Sequence, residues 1–273
     1  MEYPACASHC RACYCNTVTV DTVINVHLAP SGLGGSGPVR LASMLDLNDK
    51  PWQPLVAASI LSADFGYMIQ ECQEVLGQGA DFLHLDVMDG HFVPNLTMGQ
   101  DMIRALRRHL PEVFLDVHLM VERPAEYIDS FADAGASHFT FHLEVSAETP
   151  SDTKSLIDRI HCHGMSVGMA INPETAPAGL DPYLSDLDLV LVMSVHPGRS
   201  GQTFIEESLS KTRWLARRVR DQTRVQMDGG LNPITAVAAA AASCDVMVSA
   251  SSLFGAKDRS EVIDALHHSG SQS

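Results

Sequence analysis

Long apolar runs are missing from this chain. None approaches the roughly 18 residues that a membrane-spanning helix needs, so no membrane partner is expected. Positive charge is scarce as well. Lysine and arginine together number 18 against 33 aspartates and glutamates, a formal charge of −15, and such a surface repels nucleic acid and anionic membranes alike. Nucleic acid is therefore not expected as a partner either. A phosphorylated small molecule would be repelled at long range too, so any phosphate site has to be made locally from backbone N–H groups at loops and helix starts.

A disulfide framework is also lacking. Cys6, Cys10, Cys13 and Cys15 crowd the first fifteen residues, while Cys72, Cys162 and Cys244 stand singly inside apolar patterns. That distribution fits a reducing compartment. The cluster has no second CxxC partner of the kind a structural zinc site uses. No basic start leads into a compact apolar segment, which argues against a secretory signal. Acidic residues are few at the start, but Arg11 and Arg40 are the only arginines before position 52, thin material for organellar targeting. A cytoplasmic location is expected.

Residues 1–52 show no sustained periodicity, and Pro30 to Pro38 read as a flexible glycine-rich linker. They are expected to form a disordered extension, with translation from Met44 as an alternative that removes most of it. From Val56 the pattern turns regular. Short β-rich apolar runs recur at 55–60, 82–87, 113–119, 138–143, 166–171, 188–194, 223–227 and 246–250. Amphipathic stretches lie between them. At 65–78, Met68, Ile69, Cys72, Val75 and Leu76 fall on one helical face; at 206–220, Leu209, Ala216 and Val219 recur among charged residues. Eight βα units predict an α/β protein, a (β/α)8 TIM barrel over 53–273, in preference to an open doubly wound sheet. No GxGxxG turn follows the first two strands, which removes the Rossmann reading.

In such a barrel the ends of the strands form the catalytic face, and the unusual polar residues sit there. In His84-Leu85-Asp86-Val87-Met88, period 2 sends His84, Asp86 and Met88 to one side. His118 and Met120 share a face in the next run, and Asp228 closes the seventh. Buried imidazoles and carboxylates need ionic partners or a metal. Two of each at one rim suit one divalent metal ion such as Zn²⁺, Fe²⁺, Mn²⁺ or Co²⁺. Asp64 reads as a helix N-cap, and Asp116 is expected to face the helices. Small residues follow the last three runs: Gly198-Arg199-Ser200-Gly201, Gly229-Gly230 and Ala250-Ser251. Loops of this kind form the usual barrel phosphate site. No strand end carries the lysine on which a decarboxylase or aldolase-like barrel relies.

Taken together, SILSADF at 59–65, HLDVMDGHFVPN at 84–95, LDVHLM at 115–120 and MDGG at 227–230 resemble the ribulose-phosphate 3-epimerase family. The ordered matches run from about Ser59 to Ala256. The resemblance implies a barrel of the ribulose-phosphate-binding type, a phosphorylated ketopentose substrate and a homo-oligomer. It implies metal ligation by His84, Asp86, His118 and Asp228, acid/base roles for Asp86 and Asp228, and substrate contacts from Ser59 and His118. It also implies a methionine cap from Met88, Met120 and Met193, with phosphate lying against Gly198, Arg199, Ser200, Gly201, Gly229, Gly230, Ala250 and Ser251. Arg199, Ser200 and Ala250 depart from the family pattern, standing for an aromatic residue, a glycine and a glycine; they are expected to crowd the phosphate loops. An epimerase for a related ketose phosphate, such as allulose 6-phosphate, would share all of this chemistry.

Overall fold

Short parallel strands rich in Val, Leu and Phe on at least one face have to be covered on that side, and closing on themselves leaves no edge unpaired. They do so in a computed structural model, which describes residue 47, 53–146 and 149–272. The expected extension over 1–52 lies, apart from Leu47, outside the described residues.

Eight parallel strands, β1 (Leu55–Ser59), β2 (Phe82–Met88), β3 (Leu115–Met120), β4 (His138–His142), β5 (Ser166–Ile171), β6 (Leu189–Met193), β7 (Arg224–Asp228) and β8 (Val246–Ser249), form a closed barrel in sequence order. β8 pairs with β1 to complete the ring. The helices around it are α1 (Met68–Gly77), α2 (Gln100–His109), α3 (Ile128–Ala134), α4 (Pro150–Cys162), α5 (Ser208–Ala216), α6 (Pro233–Ala241), α7 (Ser251–Phe254) and α8 (Arg259–His267). The predicted strand runs match these bounds to within two residues. The fold is the expected (β/α)8 TIM barrel.

Two helical stretches differ in detail. The 65–78 stretch divides into a 3-10 turn, Phe65–Tyr67, and α1, with Asp64 capping the turn by accepting from the Gly66 N–H. Met68, Cys72 and Val75 are buried as its apolar face requires. Between β5 and β6 the described crossover contains only a 3-10 turn, Pro177–Leu180. Pro173, Pro177 and Pro182 each remove a backbone donor in this short segment, and an α-helix does not propagate through them.

Alternation along the strands sorts the core into two parts. Val56, Leu83, Leu85, Val117, Leu119, Phe139 and Phe141 point outward and join the main apolar cluster with helix residues such as Cys72, Ile103 and Phe131. Inside, Leu55, Ala57, Phe82, Val246 and Val248 pack together, and Ala170, Leu189, Leu191 and Met193 form a second patch. Many of the remaining inward positions are polar. His84, Asp116, His118, His138, Thr140, His142 and Gln226 are all fully buried, which is tolerable only if each finds a partner. Gly168 leaves them space, since a Cβ there would stand 2.2 Å from the Thr140 hydroxyl and 2.6 Å from His138 Nε2.

Candidate active site

The register of β2 against β3 sets the site. His84 lies beside Asp116, Asp86 beside His118, and Met88 beside Met120. Period 2 points all six into the barrel, so two imidazoles and two carboxylates meet with two methionines above them. Asp116 therefore does not face the helices. It stands two residues before His118 and shares its face; the buried Asp116 Oδ2 accepts from His84 Nδ1 at 2.7 Å and from Gln226 Nε2 at 2.8 Å.

Asp228 arrives from β7, across the barrel from β2 and β3. One ligand atom from each of His84, Asp86, His118 and Asp228 falls within 4.8 Å of the others. His84 Nε2 is 3.3 Å from Asp86 Oδ1 and 3.9 Å from Asp228 Oδ2. His118 Nδ1 is 3.1 Å from the same Asp86 oxygen and 3.8 Å from Asp228 Oδ2. His84 Nε2 makes no hydrogen bond among the described residues although it is buried. With Nδ1 committed to Asp116, a neutral His84 presents a lone pair to two carboxylates. A cation between them resolves that arrangement, and an N₂O₂ donor set suits a borderline divalent ion. The residues fit a metal.

The electrostatics divide the two aspartates. Burial opposes ionisation of Asp86, but the His84 charge and a hydrogen bond from His118 hold its carboxyl below the usual range. Ser59 adds a hydroxyl donor at 2.6 Å from Asp86 Oδ2. Asp228 is pushed upward, first by burial and then by the charge of Asp86. Burial works against protonated His84, yet Asp116 and Asp86 raise it well above an ordinary imidazole. Burial lowers His118.

Beside these groups opens a cavity of about 300 Å³, room for a small ligand. Asp86, Asp228, Ser59 and the three methionines Met88, Met120 and Met193 line one end. The other end is lined by Gly198, Arg199, Ser200 and Gly201 after β6, Gly229 and Gly230 after β7, and Ala250 and Ser251 after β8. The structure thus brings every predicted site residue to one cavity except His84 and His118, which are buried beneath it. Two glycines there have no freedom to be otherwise. A Cβ on Gly229 would meet Val195 Cγ2 at 2.4 Å, and one on Gly230 the Phe204 backbone nitrogen at 2.8 Å, both at positive φ. At Ala250 φ is −116°, outside the left-handed region that favours glycine, and Arg199 and Ser200 are exposed.

The loop after β2 is tied to the loop after β6. Asp89 accepts from the backbone N–H groups of His91, Phe92 and Glu122, and Asn95 Nδ2 donates to the Gly198 carbonyl at 3.1 Å. These tethers, together with Asp116, His142, Glu144 and Gln226, were not among the predicted site residues. Their sequence signal is weak except at β4, where His138, Thr140 and His142 alternate as inward polar positions.

Residues 55–254 match the model of the ribulose-phosphate 3 epimerase family. The chain belongs to the ribulose-phosphate 3-epimerase family. The chain is 44% identical over 223 residues to the "Ribulose-phosphate 3-epimerase, cytoplasmic isoform" of Oryza sativa subsp. japonica, covering 80% of this chain and 96% of that one. It is 41% identical over 217 residues to the ribulose-phosphate 3-epimerase of Escherichia coli strain K12, covering 78% and 95%. As a member of this epimerase family the chain is an isomerase acting in carbohydrate metabolism. Among solved structures it is similar to 3-hexulose-6-phosphate synthase from Salmonella typhimurium (TM-score 0.58, 16% identity, 80% of this chain and 99% of that). A second, KGPDC from Streptococcus mutans, aligns with TM-score 0.61 at 13% identity over 81% and 98%. At such identities these two speak for the barrel alone.

Proposed function

We propose that the chain is a metal-dependent D-ribulose 5-phosphate 3-epimerase that interconverts D-ribulose 5-phosphate and D-xylulose 5-phosphate. The observation that carries the reading is the pair Asp86 and Asp228. They come from β2 and β7, face one buried cluster, and are pushed in opposite directions, Asp86 toward carboxylate and Asp228 toward carboxylic acid.

Epimerisation at C3 removes a proton from a carbon next to the C2 carbonyl and returns one to the other face. That task needs one ionised and one protonated carboxyl in each turnover, and opposed environments provide such a split. Asp86 takes the proton and Asp228 delivers one, with the roles reversed in the other direction. His84, Asp86, His118 and Asp228 would hold the divalent cation. When bound, the cation supplies Lewis-acid stabilisation of the negative charge that develops on the enediolate oxygens. Ser59 keeps Asp86 oriented and reaches the substrate. Met88, Met120 and Met193, all nearly fully buried, cover the reacting carbon and exclude water. The phosphate lies at the glycine end, against backbone N–H groups of Gly198 to Gly201, Gly229, Gly230, Ala250 and Ser251.

Two coarser features belong to the same proposal. The rice relative's name supports a cytoplasmic location. The exposed apolar side chains of Phe65, Tyr67, Leu96 and Ile234 support a homo-oligomer, which light scattering of the full chain measures.

A coupled assay on D-ribulose 5-phosphate tests the function, using chelator-stripped protein and then protein given Fe²⁺, Mn²⁺, Co²⁺ or Zn²⁺. The reading expects turnover restored by at least one ion. Folded protein that turns over with none of them would overturn it.

A further inference from the structure

Of the two histidines beneath the cavity, His84 is held by a carboxylate directly, whereas His118 meets another ring. His118 Nε2 lies 2.8 Å from His142 Nε2. The rings stack at 5.0 Å between centroids and 26° between planes. His142 ends β4 and is fully buried, and its Nδ1 lies 3.1 Å from Glu144 Oε2. The other oxygen of Glu144 is occupied by the Asn172 backbone N–H at 2.8 Å and by the Thr175 hydroxyl. No residue in this row touches the cavity.

Facing nitrogens 2.8 Å apart share one proton, and the far end of the row decides which ring carries it. A carboxylate only accepts, so His142 must place its proton on Nδ1. Its Nε2 is then an acceptor, and the proton between the rings belongs to His118 Nε2. That leaves a lone pair on His118 Nδ1, 3.1 Å from Asp86 Oδ1; this carboxylate also needs a donor, either a proton on Nδ1 or a cation between the two, and only the cation leaves the rest of the row undisturbed. The opposite tautomers would set a lone pair of His142 against the Glu144 carboxylate.

We propose that Glu144, acting through His142, fixes the tautomer of His118 so that Nδ1 is free for the metal; this rests on the metal-binding reading of the same site. Both are positioning residues. The row does for His118 what Asp116 does for His84, with one imidazole inserted. It also couples the ligand to the segment after β5, because Asn172 and Thr175 hold Glu144, and Lys211 Nζ in turn bonds the carbonyls of Asn172, Pro173 and Thr175.

Glu144→Gln is the informative variant because it is isosteric. One carbonyl oxygen cannot serve both sides, and the side with two donors, Asn172 N–H and Thr175 Oγ–H, claims it. The amide NH₂ then points at His142 and inverts the row, placing the proton on His118 Nδ1. Nitrogen NMR of the His142 ring in chelator-stripped full-length protein, with Co²⁺ titration followed by visible absorption, reads the result. Wild type should show His142 as the Nδ1–H tautomer. Glu144→Gln should shift it to Nε2–H and weaken Co²⁺ binding by about 10- to 100-fold. An unchanged tautomer, or a Co²⁺ Kd within about twofold of wild type, would overturn the proposal. Lys211→Met is the control, since it loosens the same loop and leaves the carboxylate on His142; equal weakening there would assign the effect to loop packing and overturn it as well. Wild type that binds no Co²⁺ would defeat the metal reading of the site, while the tautomer shift would still decide the row.

Discussion

His84 donates from Nδ1 to Asp116 Oδ2 at 2.7 Å, and this one bond decides which nitrogen of the ring faces the paired carboxylates. Asp116 is itself held by Gln226 from β7, so strands on opposite sides of the barrel fix one imidazole. The Asp116 carboxyl is held low, at about 2, because the His84 charge and hydrogen bond outweigh its burial.

Removing that acceptor should therefore act on metal affinity more than on folding. Asp116→Ala is expected to weaken Zn²⁺ or Co²⁺ binding by about 10- to 100-fold. Asp116→Asn, whose carbonyl oxygen can still accept from both His84 and Gln226, is expected to lose less. Competition titration against a chelator ranks the two variants. Equal losses would show that the charge of Asp116 matters more than its geometry.

Metal affinity should rise with pH. Burial and the Asp86 charge raise Asp228, while Asp116 and Asp86 overcome burial to raise His84. A raised His84 keeps a proton on its ligand nitrogen to higher pH, and that proton has to leave before a cation enters, whereas Asp228 can ligate through one oxygen and keep its proton on the other. Acid thus weakens binding, and the gain continues upward until His84 is deprotonated. Co²⁺ titrations at about pH 6 and about pH 8 measure this as proton release on binding; a Kd independent of pH would contradict it.

At the glycine end, Gly230→Ala should raise KM for the sugar phosphate and lower Tm. The left-handed φ alone costs about 1–2 kcal/mol, and the added Cβ would press on the Phe204 backbone at 2.8–2.9 Å. Ala250→Gly should change KM little, because φ there is −116°, outside the left-handed region where glycine is needed. Steady-state kinetics with thermal melts of both variants check the contrast.

Much of this site was legible because a strand has period 2. His84, Asp86 and Met88 could be placed on one side by counting, as could His118 and Met120, and the barrel then brings β2 and β3 side by side. The same count puts Asp116 on the face of His118, so the expectation that it faces the helices fails on the rule that succeeds elsewhere. His142 and Glu144 were harder to find. Nothing in the run Phe139-Thr140-Phe141-His142 says that the last ring stacks on His118, since the contact is made across strands and its direction is set by a carboxylate two residues further on. The missing α-helix before β6 was written in Pro173, Pro177 and Pro182. The fate of residues 1–43 and the cysteine cluster lie outside the described residues.

The account rests on two carboxyls working from opposite sides, and the most direct test is the turnover of Asp86→Asn and Asp228→Asn on D-ribulose 5-phosphate, with metal content and circular dichroism measured on the same samples. Each variant is expected to stay folded and to lose about 10²- to 10⁴-fold in kcat, the range a positioned proton-transfer group typically contributes. Retention of more than about a tenth of wild-type turnover in either one would contradict the two-base scheme.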